Sequence, residues 1–206
     1  TTATVNGYTP TASNMAGRNR IINGNMAIDQ RNAGASVTGG AFPVDRWRPD
    51  TTAHASFSYQ RNAGAVTPPT GFTNYLGITS TAAYTPAANT TSDIAQGVEG
   101  FNTSDFAWGT ANAQTVTVSF WVRSSLTGTH SGALVNSAVA RSYVFSFTVS
   151  SANTWEYKTI VVPGDITGVW ATDNSTGVFL RFNTGTGTGI YGSTTTGWQA
   201  GDIVGL

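Results

Sequence analysis

Residues 115–123, TVTVSFWVR, alternate without a break: Val116, Val118, Phe120 and Val122 fall on one face, Thr117, Ser119, Trp121 and Arg123 on the other. A period of two sends successive side chains to opposite sides of an extended backbone, so this run reads as a half-buried β-strand. The pattern recurs. Residues 54–61 set Ala55, Phe57 and Tyr59 against His54, Ser56, Ser58 and Gln60, and in 178–183 Val178, Leu180 and Phe182 face inward. Further strands are expected at 44–49, 74–80, 94–100, 132–137, 141–149, 155–162 and 189–195. Pro68-Pro69 forces a turn, 31–43 is a Gly-rich loop and 163–175 is turn-rich. No window has amphipathic helical spacing. About ten to twelve short strands, with turn signals every ~8–12 residues, predict an all-β protein, an antiparallel jelly-roll-like β-sandwich.

The 206 residues are 39% hydrophobic and 11% aromatic, enough for one large core, and no composition break divides them. Only 10% are charged, against about a quarter in ordinary globular proteins. Thr, Ser, Asn and Gly carry the polarity instead, as is common in all-β extracellular and virion proteins. Net charge is zero, and Lys158 and the arginines are scattered singly. Without a basic stripe to neutralise phosphates, nucleic acid is not an expected partner. The absence of cysteine excludes disulfides and thiol chemistry. No apolar run approaches the ~20 residues that span a bilayer, so no membrane insertion is expected.

Residues 19–32, NRIINGNMAIDQRN, are expected to open the domain as a strand, with Ile22, Met26 and Ile28 on one face and Gly24 at a bulge. In the Asp45-Arg46-Trp47 step the indole is expected to be buried and the charged pair to tie down a strand end. The first run, followed by Phe42-Pro43-Val44-Asp45-Arg46-Trp47, resembles the N-x-x-I-N-G-x-x-x-I-x-Q-R … D-R-W opening of the receptor-binding end domains of bacteriophage tail fibres. A second block, Gln96-Gly97-Val98-Glu99-Gly100 with Thr117-Val118-Ser119-Phe120-Trp121-Val122-Arg123, resembles the same domains and, more loosely, β-sandwich carbohydrate-binding modules. Together the matches cover 19–200.

The resemblance implies an extracellular virion protein of a phage tail. It implies a homotrimer, joined to other virion tail proteins and attached to a host-surface polysaccharide. On this reading 1–18 are an extended leader from an upstream stalk and 19–206 the sandwich. The family's closing V-Q-L-E-like segment is absent, so a truncated end or a missing last strand is expected.

Catalytic motifs are scarce. Residues 187–192 fit G-x-G-x-x-G, but no helix follows to hold a phosphate. There is no P-loop and no G-x-S-x-G elbow, and His54 and His130 lack metal-ligand spacing. No cofactor is expected; a structural Ca²⁺ is compatible with such a sandwich, but no motif calls for it. A glycosidase needs two carboxylates ~5–9.5 Å apart, and Glu99, Glu156, Asp93 and Asp105 suggest no pair. The expectation is a protein that is not an enzyme.

What remains is aromatic and hydrogen-bonding surface. Sugars present apolar ring faces edged by hydroxyls, which flat aromatics and planar polar groups match. Trp121 and Arg123, with Glu99 and Arg181 on neighbouring strands, are expected to form a shallow groove for one or two sugar rings. The loop aromatics Trp108, Trp170 and Tyr191 are the rival surface. Two other readings stay open. One is a carbohydrate-binding module of a secreted polysaccharide-degrading enzyme. The other is a purely structural fibre or head-decoration domain, in which protein covers Trp121.

Overall fold

A computed structural model describes residues 19–51, 56–187, 189 and 192–206. The described strands are β1 (Arg48–Thr51), β2 (Phe57–Arg61), β3 (Leu76–Ser80), β4 (Ser92–Glu99), β5 (Val116–Val122), β6 (Gly128–Asn136), β7 (Arg141–Val149), β8 (Glu156–Val162), β9 (Thr176–Asn183) and β10 (Gly197–Ala200). Six of them form one sheet in the order β1-β4-β9-β6-β7-β10, while β2-β3 and β5-β8 are two-stranded ribbons. All the strand pairs are antiparallel.

The chain is wound as a nested hairpin. β6 pairs with β7, β5 with β8 around them, and β4 with β9 outermost. Folding that long hairpin over, so that β9 also lies against β6, gives jelly-roll winding, and the fold is the expected all-β antiparallel sandwich. Its two layers meet where the alternating faces predict. Phe120 of β5 sits edge-on to Phe147 and Phe182, with centroids 5.0 and 4.8 Å away. Val116, Val118, Val122 and Ile160 of the ribbon pack on the buried cluster of Leu134, Phe145, Phe147, Val149, Val162 and Leu180. Phe57 and Tyr59 of β2 join the same core. Each large apolar side chain so buried contributes about 1.5–3 kcal/mol. Gly132 of β6 is required here: a Cβ would lie 2.5 Å from the Arg181 carbonyl oxygen and 2.6 Å from the Phe145 ring.

The last residues run across the other face of the large sheet. Ser142 Oγ donates to the Gly201 carbonyl and accepts from the Ile203 N–H, the Leu206 N–H donates to Ser131 Oγ, and Val204 is fully buried. That cover buries polar residues of the sheet, among them Ser131, Ser142 and Arg181.

Three expectations are corrected. Residues 19–32 are turns and loop with no strand. The Asn23 amide donates to the Ile28 and Asp45 carbonyls and its oxygen accepts the Ile28 N–H, while Asp29 and Asp45 accept the N–H groups of Asn32, Gly34 and Gln30. These side chains satisfy main-chain groups that a strand would give to a ladder. Second, the strand expected at 44–49 begins only at Arg48. Trp47 is buried as expected, but Arg46, at φ 76°, pairs with Glu99 rather than Asp45. Third, the described part of 189–195 contains no strand, and β10 lies beyond it at Gly197–Ala200. The expected leader, His54 and Tyr191 lie outside the described residues.

Candidate functional site

The outward face of the β5-β8 ribbon is set by its register. Thr117 stands opposite Val161, Ser119 opposite Thr159 and Trp121 opposite Tyr157; the paired register ends at Val122 and Glu156, and Arg123 and Trp155 each lie two positions beyond the Trp121–Tyr157 pair. Directly opposed side chains on an antiparallel pair are close enough to act as one unit. Trp121 is 37% exposed and Tyr157 56%, with ring centroids 5.4 Å apart and planes at 55°. Trp155 is anchored from outside the ribbon: its Nε1–H donates to the Thr67 carbonyl at 2.9 Å, and its ring meets Tyr75 edge-on at 5.6 Å.

Arg123 is fixed by the β7-β8 turn. Its Nε–H donates to the Asn153 carbonyl at 3.0 Å, and the Asn153 N–H returns a bond of 2.7 Å to the Ser124 carbonyl. Glu156 holds the turn by accepting the Ser150 and Ser151 N–H groups and pairs with Lys158 at 2.6 Å. The bond from Lys158 and those main-chain donors keep the Glu156 carboxyl below its ordinary range. Arg123 has no carboxylate partner among the described residues. Two indoles, a phenol, a guanidinium and the hydroxyls of Ser119 and Thr159 thus share one face, equipped to stack on flat apolar rings and donate to their oxygens.

Glu99 and Arg181 do not join this face, because β4 and β9 belong to the six-stranded sheet. Glu99 pairs with Arg46 at 2.7 Å, and that bond holds its carboxyl below the usual range. Arg181 is 3% exposed. Its Nε and Nη2 donate to Asp93 Oδ2, Nη2 also to Asp50 Oδ2, and Nη1 to Asp202 Oδ1. Asp93 is fully buried, and burial, reinforced by the Asp50 and Asp202 charges, outweighs Arg181 and pushes its carboxyl up to about 7. Of the four residues expected on one surface, Trp121 and Arg123 lie on and just after β5, with Tyr157 opposite Trp121, while Glu99 and Arg181 lie in the other sheet.

Trp108 and Trp170 do come together, 4.8 Å apart and edge-on, with Trp198 5.2 and 5.5 Å from them. All three indole N–H groups are satisfied internally, by the Gln114 carbonyl, Asp165 Oδ2 and the Pro163 carbonyl. Trp108 is 6% exposed, so it stacks on its neighbours rather than on a ligand. Asp165, 1% exposed, organises the loop beneath them. Burial raises its carboxyl, but bonds from Arg141, Trp170 and the Thr167 N–H outweigh burial and hold it low. An open cleft of about 260 Å³ borders this cluster, walled by Phe106, Trp108, Trp170 and threonines.

The four carboxylates weighed in the sequence each carry an ion pair. Glu99 pairs with Arg46, Glu156 with Lys158, Asp93 with Arg181 and Asp105 with Arg20. No group of three or more His, Cys, Asp or Glu is placed to hold a metal ion among the described residues. Sequence reasoning missed Tyr157 and Trp155. Their period-two spacing in 155–161 was the signal, but only the register shows that Tyr157 stands opposite Trp121, with Trp155 two positions before it.

No protein-family model and no curated protein matches the chain. Among solved structures it is similar to the crystal structure of the enzymatically active domain of tailspike protein 4 of bacteriophage CBA120, with a TM-score of 0.45 and 14% identity. The similarity covers 91% of this chain and 21% of that one, so the chain spans about a fifth of that chain's length.

Proposed function

We propose that this chain is a non-catalytic domain of a bacteriophage tail fibre that attaches the virion to a glycan on the host surface. The carrying observation is the exposed Trp121-Tyr157 pair on the outward face of the ribbon, flanked by Trp155, Arg123 and hydroxyl side chains. Trp, Tyr and Arg are the side chains that most often anchor binding surfaces. The tail-fibre context rests on the motif resemblance at 19–47 and 96–123. The ion pairs that occupy Glu99, Glu156, Asp93 and Asp105 support the non-catalytic part of the reading. A general acid or nucleophile has to reach the substrate, and these groups are committed elsewhere.

A shallow site of this kind binds weakly alone. A homotrimer on a tail bearing several fibres gains avidity without any deep pocket. The test is a glycan array probed with the unaltered protein and with Trp121→Ala and Tyr157→Ala. Each substitution is expected to cost about 1–2 kcal/mol of binding, a loss of roughly tenfold, with a small drop in melting temperature from the lost cross-strand contact, worth about 0.2–1 kcal/mol. Unchanged binding in both variants would remove this face as the site.

A further inference from the structure

We infer that the Trp121-Tyr157-Trp155-Arg123 face takes an acidic polysaccharide, its rings resting on the aromatic side chains and a sugar carboxylate pairing with Arg123. This rests on the glycan-binding reading above and narrows the ligand to one charge class. The argument begins from the scarcity of charge. Arg20, Arg31, Arg46, Arg61, Arg141, Arg181 and Lys158 each have a carboxylate partner, whereas Arg123 and Arg48 have none among the described residues. Arg48 lies on β1, at the edge of the large sheet. Of the two, Arg123 alone follows the ribbon strand that carries Trp121, two positions along from it.

Its position is also prepared. The Nε–H bond to the Asn153 carbonyl fixes the guanidinium and leaves both Nη groups to meet a carboxylate end-on. No carboxylate on this face opposes an incoming anion. Within 117–123 and 155–161 the one acidic residue is Glu156, which accepts from Ser150, Ser151 and Lys158. The Trp121-Tyr157 pair and the Arg123-Trp155 step are separated by one strand repeat, roughly 7 Å. A stacked ring at the first therefore sets a neighbouring ring of the same chain near the guanidinium. A neutral chain in that place offers Arg123 only hydroxyl and ring oxygens, whose bonds lack the added strength of a charged acceptor.

The experiment is an array of bacterial capsular polysaccharides, each printed both native and after carboxyl reduction to the neutral sugar. It is probed with the unaltered protein, Arg123→Gln, Arg123→Lys and Trp121→Ala, each checked by thermal melting. The unaltered protein is expected to bind native acidic chains, and carboxyl reduction and Arg123→Gln each to weaken binding about tenfold or more. Arg123→Lys should recover part of the loss, because it restores charge without the planar fork. Raising salt to about 0.5 M should weaken the unaltered protein much more than Arg123→Gln.

Equal binding to native and reduced chains, lost in Trp121→Ala, overturns the charge assignment and leaves the glycan reading standing. Silence of the unaltered protein across the array overturns both. Self-association that disappears in Arg123→Gln identifies a second copy as the occupant and likewise overturns the inference.

Discussion

Asp50 and Asp93 stand directly opposite each other across β1 and β4. Like charges in that relation repel, and Arg181, which bonds both and Asp202 as well, offsets the repulsion. One guanidinium does not neutralise three carboxylates, so the most deeply buried of them keeps its proton. Asp93 Oδ1 has no hydrogen-bond partner, as suits a neutral acid better than an ionised one, and the Tyr59 hydroxyl is in the same position. Burial, and then the charge of Asp93, push Tyr59 up to about 12. Because the Asp93 carboxyl is raised to about 7 from 3.8, folding binds a proton there more tightly than the unfolded chain does. Its contribution is fully present below the unfolded value and is lost as pH rises through about 7. Urea melts from about pH 5 to 8 should therefore show the unaltered protein losing stability relative to Asp93→Asn, by an amount on the order of a few kcal/mol. A constant difference between the two across that range would mean that Asp93 is ionised throughout.

The opening loop shows how element identity can be misread. Ile22, Met26 and Ile28 share a parity, which mimics a strand, yet Asn23 and Met26 both adopt positive φ and the run turns on itself. Side-chain amides and carboxylates near the backbone compete with ladder formation, and here they win. The Asn23 side chain makes three main-chain bonds at a φ of 55°. Asn23→Ala should lower stability by about 2–4 kcal/mol in urea unfolding, from the lost bonds and the strained backbone. The regular strands were legible because their period is local: β7 runs from Arg141 to Val149 as the alternation indicates, and β5 differs by one residue at each end. What a strand faces was not legible. Arg181 alternates with Leu180 and Phe182 and so reads as solvent-facing, but the closing segment and Asp50 cover it. Trp121 and Arg123 were assigned to one face because their spacing is local; Tyr157 and Trp155 lie more than thirty positions away, and only the pairing of β5 with β8 sets Tyr157 opposite Trp121.

At the scale of the molecule, the proposed trimer has a direct measurement. Light scattering of this 21.5 kDa chain should give three times that mass, and a monomer would favour an isolated carbohydrate-binding module. Either result is compatible with the nested winding, in which β6 and β7 pair locally while β4 waits for β9. The Arg181 junction adds an electrostatic condition to that geometry. Arg181 reaches back 88 positions to Asp93 and 131 to Asp50. β4 joins the rest of the six-stranded sheet only through β9, so the strand that carries Arg181 is also the one that brings Asp50 and Asp93 into that sheet. The ninth strand thus supplies bridge and counter-charge in one step: β1 and β4, with their confronting acids, enter the large sheet together with the cation that offsets them.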